Sequence, residues 1–212
     1  MPIRPTEPAN DIREMGFLLT TVAIILAFDD APGFPGSKYL VDVGGEPLIR
    51  RAVADTAAWD VNERIVVLGP DADAIAEVIA GEDVTTVIDP EWAEGTAASL
   101  RAAIDFVTRD RSITNLVFAR GDQPGVPASV VDELMAKAEQ TGADAVFPKY
   151  RYARGWPVLV GGSVFERLLG SEGDVDLPAF LSTHAAMIEE CWFDRLAPPT
   201  ITGPDDLQGR HR

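Results

Sequence analysis

Asp122, Lys38 and the helix start at Gly95 are the residues of this sequence whose types and spacing could do chemistry. Asp122 follows the apolar run Leu116-Val-Phe-Ala119, at the carboxyl end of an expected strand, where ligands of open α/β sheets gather. A carboxylate there suits Mg²⁺, a hard ion that takes one or two carboxylates together with phosphate oxygens and waters. It could equally close an Asx-turn with its own backbone. Lys38 ends a Gly/Pro-rich loop that begins at Phe28. Backbone N–H groups of such loops can cradle phosphates, and a lysine adds the counter-charge. The alternative is a solvated surface lysine. Gly95, Ser99 and Arg101 open a further expected helix, whose first N–H groups favour anions if they are exposed. An ordinary helix start with Ser99 and Arg101 facing water is the plainer reading.

These residues need a sheet to hold them. Thr21-Val-Ala-Ile-Ile-Leu-Ala27 reads as a buried first strand, stopped by Asp29-Asp30 and by Pro32, Gly33, Pro35 and Gly36. Pro47 starts a helix to about Trp59, and Arg64 to Leu68 is a second strand. Asp71 is a candidate cap for a helix ending near Ala80, before Gly81. Val84 to Ile88 is a third strand and Thr96 to Thr108 a helix. Asn115 to Ala119 is a fourth strand, Pro127 to about Gln140 a helix and Ala145 to Pro148 a fifth strand. Strand and helix thus alternate as in a mainly parallel α/β sheet. The last third is less regular: a strand over Trp156 to Val160, helices over Ser163 to Leu169 and Leu177 to Thr183, and a final strand over Met187 to Phe193. Residues 1–16, rich in Pro and polar groups, read as a flexible extension, and 17–212 as a single domain.

Composition narrows the function classes. A net charge of −16 excludes partners that select basic faces, so neither nucleic acid nor an anionic membrane is expected. Any anionic substrate must therefore meet a local cation, which singles out Lys38 and Arg101. No apolar run reaches the length of a signal peptide or a membrane span, so a cytoplasmic location is expected. Cys191 is the single cysteine, beside Trp192 and Phe193, and reads as a buried core thiol. His184 and His211 lack metal-ligand spacing, and no Gly-x-Ser-x-Gly elbow occurs.

Taken in order, the motifs resemble the MobA-like NTP transferase family, most closely its molybdenum-cofactor cytidylyltransferase branch. The family's opening loop, L-A-A-G-x-S-x-R-M-G-x-x-K, is similar to Leu26-Ala-Phe-Asp-Asp-Ala-Pro-Gly-Phe-Pro-Gly-Ser-Lys38 without a gap. Gly45-Glu46-Pro47-Leu48 resembles G-x-P-L. Asp89-Pro90-Glu91-Trp92 through Gly95 to Ser99-Leu100-Arg101 resembles N-P-x-W-x-x-G-x-x-x-S-L-R. Gly121-Asp122-Gln123-Pro124 matches G-D-Q-P, while Gly155-Trp156-Pro157 and Gly173-Asp174 look like G-H-P and G-D.

The resemblance implies a Rossmann-like three-layer sandwich of the nucleotide-diphospho-sugar transferase type. It implies transfer of a nucleotidyl group from CTP or GTP to a phosphorylated acceptor such as molybdopterin, with Mg²⁺ and release of pyrophosphate. Lys38 and Asp122 would be catalytic, with Asp122 holding the metal. Leu26, Ala27, Lys38, Gly95, Ser99 and Gly121 would bind nucleotide, and Gly155, Trp156 and Asp174 would lie on the acceptor side. Molybdoenzyme maturation factors are the partners it implies.

The departures also fall in the site. Asp29, Gly33 and Pro35 stand where the family has glycine, arginine and glycine, and Thr200 or Thr202 where it has a C-terminal acid. A lost charge-assisted phosphate contact is worth about 1.5–3 kcal/mol. The sequence therefore carries two readings: an active nucleotidyltransferase, or a degenerate relative that binds nucleotide or cofactor without turnover.

Overall fold

The computed structural model describes residues 20–28, 33–109 and 112–207. The expected extension over 1–16 lies outside these, as do Asp29, Asp30 and Pro32 of the signature loop. Strands β1 (Thr21–Ala27), β2 (Glu63–Leu68), β3 (Thr85–Ile88) and β4 (Asn115–Arg120) pair in parallel in the order β3-β2-β1-β4. Beyond β4 the sheet continues through β7 (Val158–Gly161), antiparallel to both β4 and β5 (Ala145–Tyr150). The short β6 (Ala153–Arg154) folds back on the end of β5, and β8 (Ile188–Phe193) runs parallel to β5. Among the described residues the result is an eight-stranded, mainly parallel α/β sheet. Of the last-third strands, β8 is added outside β5, but β7 enters the sheet between β4 and β5, which corrects the expectation that they would all be added to one side.

The unbroken apolar run of β1 follows from its central place. Val22 and Ile24 pack with Leu100, Ile104 and Val107 of α3 (Thr96–Thr108) on one face. Ile25 and Ala27 pack on the other face with Ile49 and Val53 of α1 (Leu48–Asp55) and Ile75 and Ile79 of α2 (Ala72–Ile79). Ala23 joins Val130, Val131 and Leu134 of α4 (Ala128–Thr141). A strand covered on both faces has no polar side to alternate with. Each fully buried Val, Leu or Ile contributes about 1.5–3 kcal/mol, so the strand that feeds the signature loop is firmly held. Cys191 is buried in the α4 layer, and burial raises its thiol pKa.

Two local expectations change. Asp71 sits before α2 but in the left-handed conformation (φ 59°), and its side chain caps nothing. The two-residue β6 has no signal of its own; it exists because Lys149 and Tyr150 on β5 present a free edge. Two short helices, α5 (Phe165–Leu169) and α6 (Leu177–His184), complete the layer over α3. Among the described residues, no helix is long and apolar enough to cross a membrane.

One carboxylate ties the added strands together. Asp144 accepts from the Ser163 hydroxyl and from the N–H groups of Ala186 and Met187. The Ser163 hydroxyl, helped by these backbone donors, lowers its pKa. A carboxyl so depressed stabilises the fold above its unfolded value near pH ~4, and that stability is lost as pH falls through the native value. The stability difference between the wild type and Asp144→Ala, read from urea unfolding, should therefore shrink between about pH 5 and pH 2.

Candidate active site

The carboxyl ends of β1 and β4 meet at Gly121. A side chain there would place its Cβ 3.0 Å from the Leu26 carbonyl oxygen, 3.1 Å from the Ala27 Cβ and 2.9 Å from Ile49 Cδ1. Glycine lets β4 end hard against β1, with its N–H donating to Leu26 at 2.8 Å. The next residue, Asp122, is then delivered past the ends of β1 and β4, within hydrogen-bond reach of Lys38.

Lys38 reaches it from the other side. A single 3₁₀ turn, Lys38–Leu40, sinks Tyr39 into the α1–α2 core at 1% exposure and turns Lys38 inward. Lys38 Nζ lies 2.8 Å from Asp122 Oδ2, with the two side chains only 3% and 2% exposed. A third group completes the arrangement. Arg120 donates from Nε to Asp122 Oδ1 and from Nη2 to Oδ2, each at 2.8 Å. Burial pushes the Asp122 carboxyl pKa up. The hydrogen bonds and charges of Arg120 and Lys38 outweigh that and hold it below the usual carboxylate value. The triad carries a net charge of about +1 in an otherwise acidic chain, and the Arg120 guanidinium is its exposed end.

Arg120 borders a cavity of about 330 Å³ whose walls include Leu26, Phe28, Leu100, Trp156 and Asp174. A second cavity of about 310 Å³ shares Phe28, Thr96 and Asp174 with it and adds Trp92 and Gly95. Together they form an apolar-walled cleft across the strand ends, lined among the described residues by Arg120 and by the carboxylates of Glu94, Asp174 and Asp176.

The start of α3 differs from the expectation of exposed N–H groups. The Thr96 N–H points to Asp174 Oδ1 at 3.4 Å and the Ala97 N–H donates to the Gly173 carbonyl at 3.0 Å. Arg101 donates to the Ser171 carbonyl at 2.6 Å, so it holds the 171–175 loop. The helix start is closed by the chain itself. Ser99 is fully buried, and its hydroxyl donates to Asp89 Oδ2 at 2.5 Å. Removing it strands a buried carboxylate oxygen, so Ser99→Ala should cost about 1–3 kcal/mol in urea unfolding.

The remaining predicted site residues are distributed as follows. Leu26, Gly95, Trp156 and Asp174 line the cleft. Ala27 is sealed in the core beneath it. Gly155 packs against the Tyr150 ring, where a Cβ would come within 2.8 Å. Burial raises the Tyr150 phenol pKa to about 12, and its hydroxyl donates to the Trp156 carbonyl. Near the C-terminus, Thr202 donates from its N–H and hydroxyl to Asp206 Oδ2 at 2.8 and 2.9 Å. The same segment covers the triad: Ile201 N–H donates to the Asp122 carbonyl, and Gln123 Nε2 to that of Pro198. Reasoning from sequence missed Arg120, Tyr39 and Phe28. Arg120 had a signal, because residues two apart at a strand end share a face and Arg120 precedes Asp122 by two.

Among the described residues, no cluster of three or more His, Cys, Asp or Glu could hold a metal by itself. A carboxylate has about four lone-pair sites, and Lys38 and Arg120 occupy three of those on Asp122. One position on Oδ1 is left. That fits a hard divalent cation that brings phosphate oxygens and water as its other ligands, and Asp122 is the residue that would hold it.

Comparisons with known proteins agree with this architecture. The model of the MobA-like NTP transferase domain matches residues 23–188. The bifunctional protein GlmU of Brevibacillus brevis is 30% identical over 125 residues, which cover 58% of this chain and 26% of GlmU. The chain thus spans about a quarter of the length of that curated relative. Among solved structures, the homologue of Mycobacterium tuberculosis Rv0371c from Mycobacterium sp. strain JC1 superposes with a TM-score of 0.78. It is 25% identical, over 88% of this chain and 92% of that one. Rv0371c from Mycobacterium tuberculosis H37Rv in complex with manganese gives a TM-score of 0.73. Identity there is 20%, over 88% and 95% of the two chains.

Proposed function

Because the chain belongs to the MobA-like NTP transferase domain family, we propose that it transfers a nucleotidyl group from an NTP to a phosphorylated small-molecule acceptor. The observation that carries this is the triad: a buried carboxylate gripped by two cations, whose exposed end faces a cleft at the strand ends. In the reaction an acceptor phosphate oxygen bonds to the α-phosphorus while the bond to pyrophosphate breaks. Such transfer asks the protein for position and charge neutralisation rather than a covalent nucleophile. The base rests between Phe28 and Trp92, with the phosphates toward Arg120. Trp156 and Asp174 border the acceptor. Lys38 acts from beneath Asp122, fixing its carboxylate and adding positive potential. A divalent cation, Mg²⁺ in this reading, would supply charge neutralisation at the phosphates when held by Asp122.

CTP or GTP is the donor and molybdopterin the first acceptor to try. Pyrophosphate release from each NTP, with Mg²⁺ and molybdopterin or a sugar phosphate, tests the reading. No release above background with any pair would overturn it. A second reading, ligand binding without turnover, is favoured by Gly33 and by the engagement of both Asp122 oxygens. Nucleotide-dependent thermal stabilisation without pyrophosphate release would establish that reading instead.

A further inference from the structure

Trp59, just after α1, and Gln123, just after Asp122, are each 6% exposed. Among the described residues, the Trp59 indole Nε1–H donates to nothing and Gln123 Oε1 accepts from nothing. Both residues line one cavity of about 10 Å³, which has room for a single water molecule. One atom is a donor and the other an acceptor, but no direct bond joins them. Buried polar atoms are paired in folded proteins, and ordered water is the partner where the chain supplies none. Asp55, Thr56 and Arg120 border the same space, so a water there has the several polar neighbours that buried waters keep. Ile25, Ala52, Ala119 and Val126 complete the wall and bring no polar side-chain atom.

The other end of the Gln123 amide is already engaged. Its Nε2 donates to the Pro198 carbonyl at 2.7 Å, and the Ile201 N–H donates to the Asp122 carbonyl at 2.9 Å. These two bonds lay residues 198–201 across the loop that carries Asp122. An amide turned end for end has almost the same shape, so the hydrogen bonds at its two ends choose the orientation. Turned the wrong way, it would set its oxygen against the Pro198 carbonyl.

We propose that this cavity is a site for one structural water, which accepts from Trp59 Nε1–H and donates to Gln123 Oε1. The water fixes the Gln123 amide with its nitrogen toward Pro198. Trp59 is thereby a positioning residue: it lines neither half of the cleft, but through the water it holds residues 198–201 on the Asp122 loop. The bond from the Gly125 N–H to Asp55 Oδ2, at 2.6 Å, ties the same loop to the end of α1. The water extends that tie to Trp59.

Water-selected nuclear magnetic resonance on the isotope-labelled full chain tests this. The Trp59 indole N–H, assigned by its loss in Trp59→Phe, should show a cross-peak to water. Its laboratory-frame and rotating-frame Overhauser effects should have opposite signs, the mark of a water held as long as the molecule tumbles. Gln123→Met keeps the length of the side chain but not its acceptor, and should lose the cross-peak. A wild-type indole without the cross-peak would overturn the water. So would a cross-peak that survives in Gln123→Met, because the Thr56 hydroxyl at the cavity wall would then be its source. By hydrogen exchange, the Ile201 amide should exchange about tenfold faster in Trp59→Phe than in the wild type, beyond any change at Ile24 in β1. Ile24 reports general loss of stability. An Ile201 amide that speeds up no more than that of Ile24 would show that Trp59 does not position residues 198–201. Melting curves report whether the variants fold, and Trp59→Leu or Gln123→Leu carries the same comparison where the first substitution does not.

Discussion

Asp122→Ala is expected to cost about 3–5 kcal/mol of stability, while Lys38→Met should cost less than half as much. The two residues form one ion pair, so the asymmetry has to come from what each substitution leaves behind. Without Asp122, Lys38 stays buried at 3% exposure with its carboxylate gone, and Arg120 loses both of its carboxylate bonds. Breaking a buried pair by removing one member is the costly outcome, because the other loses its hydrogen-bonded counter-charge. Without Lys38, the carboxylate keeps two hydrogen bonds from Arg120 and remains charge-compensated. Urea unfolding of both variants and of Arg120→Met would measure the difference. A Lys38→Met loss as large as that of Asp122→Ala would show that Arg120 does not sustain the carboxylate. Pyrophosphate release should fall by about a hundred- to a thousandfold in Asp122→Ala, the usual effect of removing one preorganised group that stabilises charge in a transition state. It should be compared at a temperature where the variant is folded.

Gly95→Ala is the second large effect. Gly95 has φ +111°, a conformation that L side chains rarely adopt. An added Cβ would also lie 2.6 Å from the Gly173 carbonyl carbon and 2.7 Å from its oxygen. Both obstacles are backbone, so no side chain can swing away to relieve them. The two loops that cross here close the start of α3 and form the shared wall of the cleft. We expect a loss of about 2–4 kcal/mol from strain and overpacking together. Nucleotide affinity should fall by about a hundredfold, as the wall between Phe28 and Asp174 moves by about an ångström. Gly81→Ala is the control, since a Cβ at Gly81 meets nothing within 4 Å and its φ is not in the left-handed region. It should unfold within about 0.5 kcal/mol of the wild type. Thermal shift with CTP and GTP on the three proteins reads both effects.

Much of the fold was legible because its signals are local. The β1 run, the turn residues after each strand and the alternation with amphipathic helices led to a mainly parallel α/β sheet, and the structure has one. What was not legible shares one property. The α3 start looked open because the loop that closes it lies 78 residues further along the chain. Ser99 looked like a site residue because it stands near a helix start. Its hydroxyl was already committed to Asp89, at the end of a different strand. Asp71 had the chemistry of a cap, but its backbone turns left-handed and carries the side chain away.

Asp122 and Lys38 show the division most clearly. The sequence by itself determined that each stands at the end of a local signal, a strand for one and a Gly/Pro loop for the other. It also determined that a chain of net charge −16 must meet any anion through a local cation. Only the tertiary structure decided that the two, 84 residues apart, share one buried ion pair, and that Arg120 joins it and borders the cleft. The reason is physical. Residue type and short-range spacing set what an element is, whereas the partner of a charge depends on which strand ends the sheet brings together. That order follows from burying β1 on both faces, a property of the whole chain.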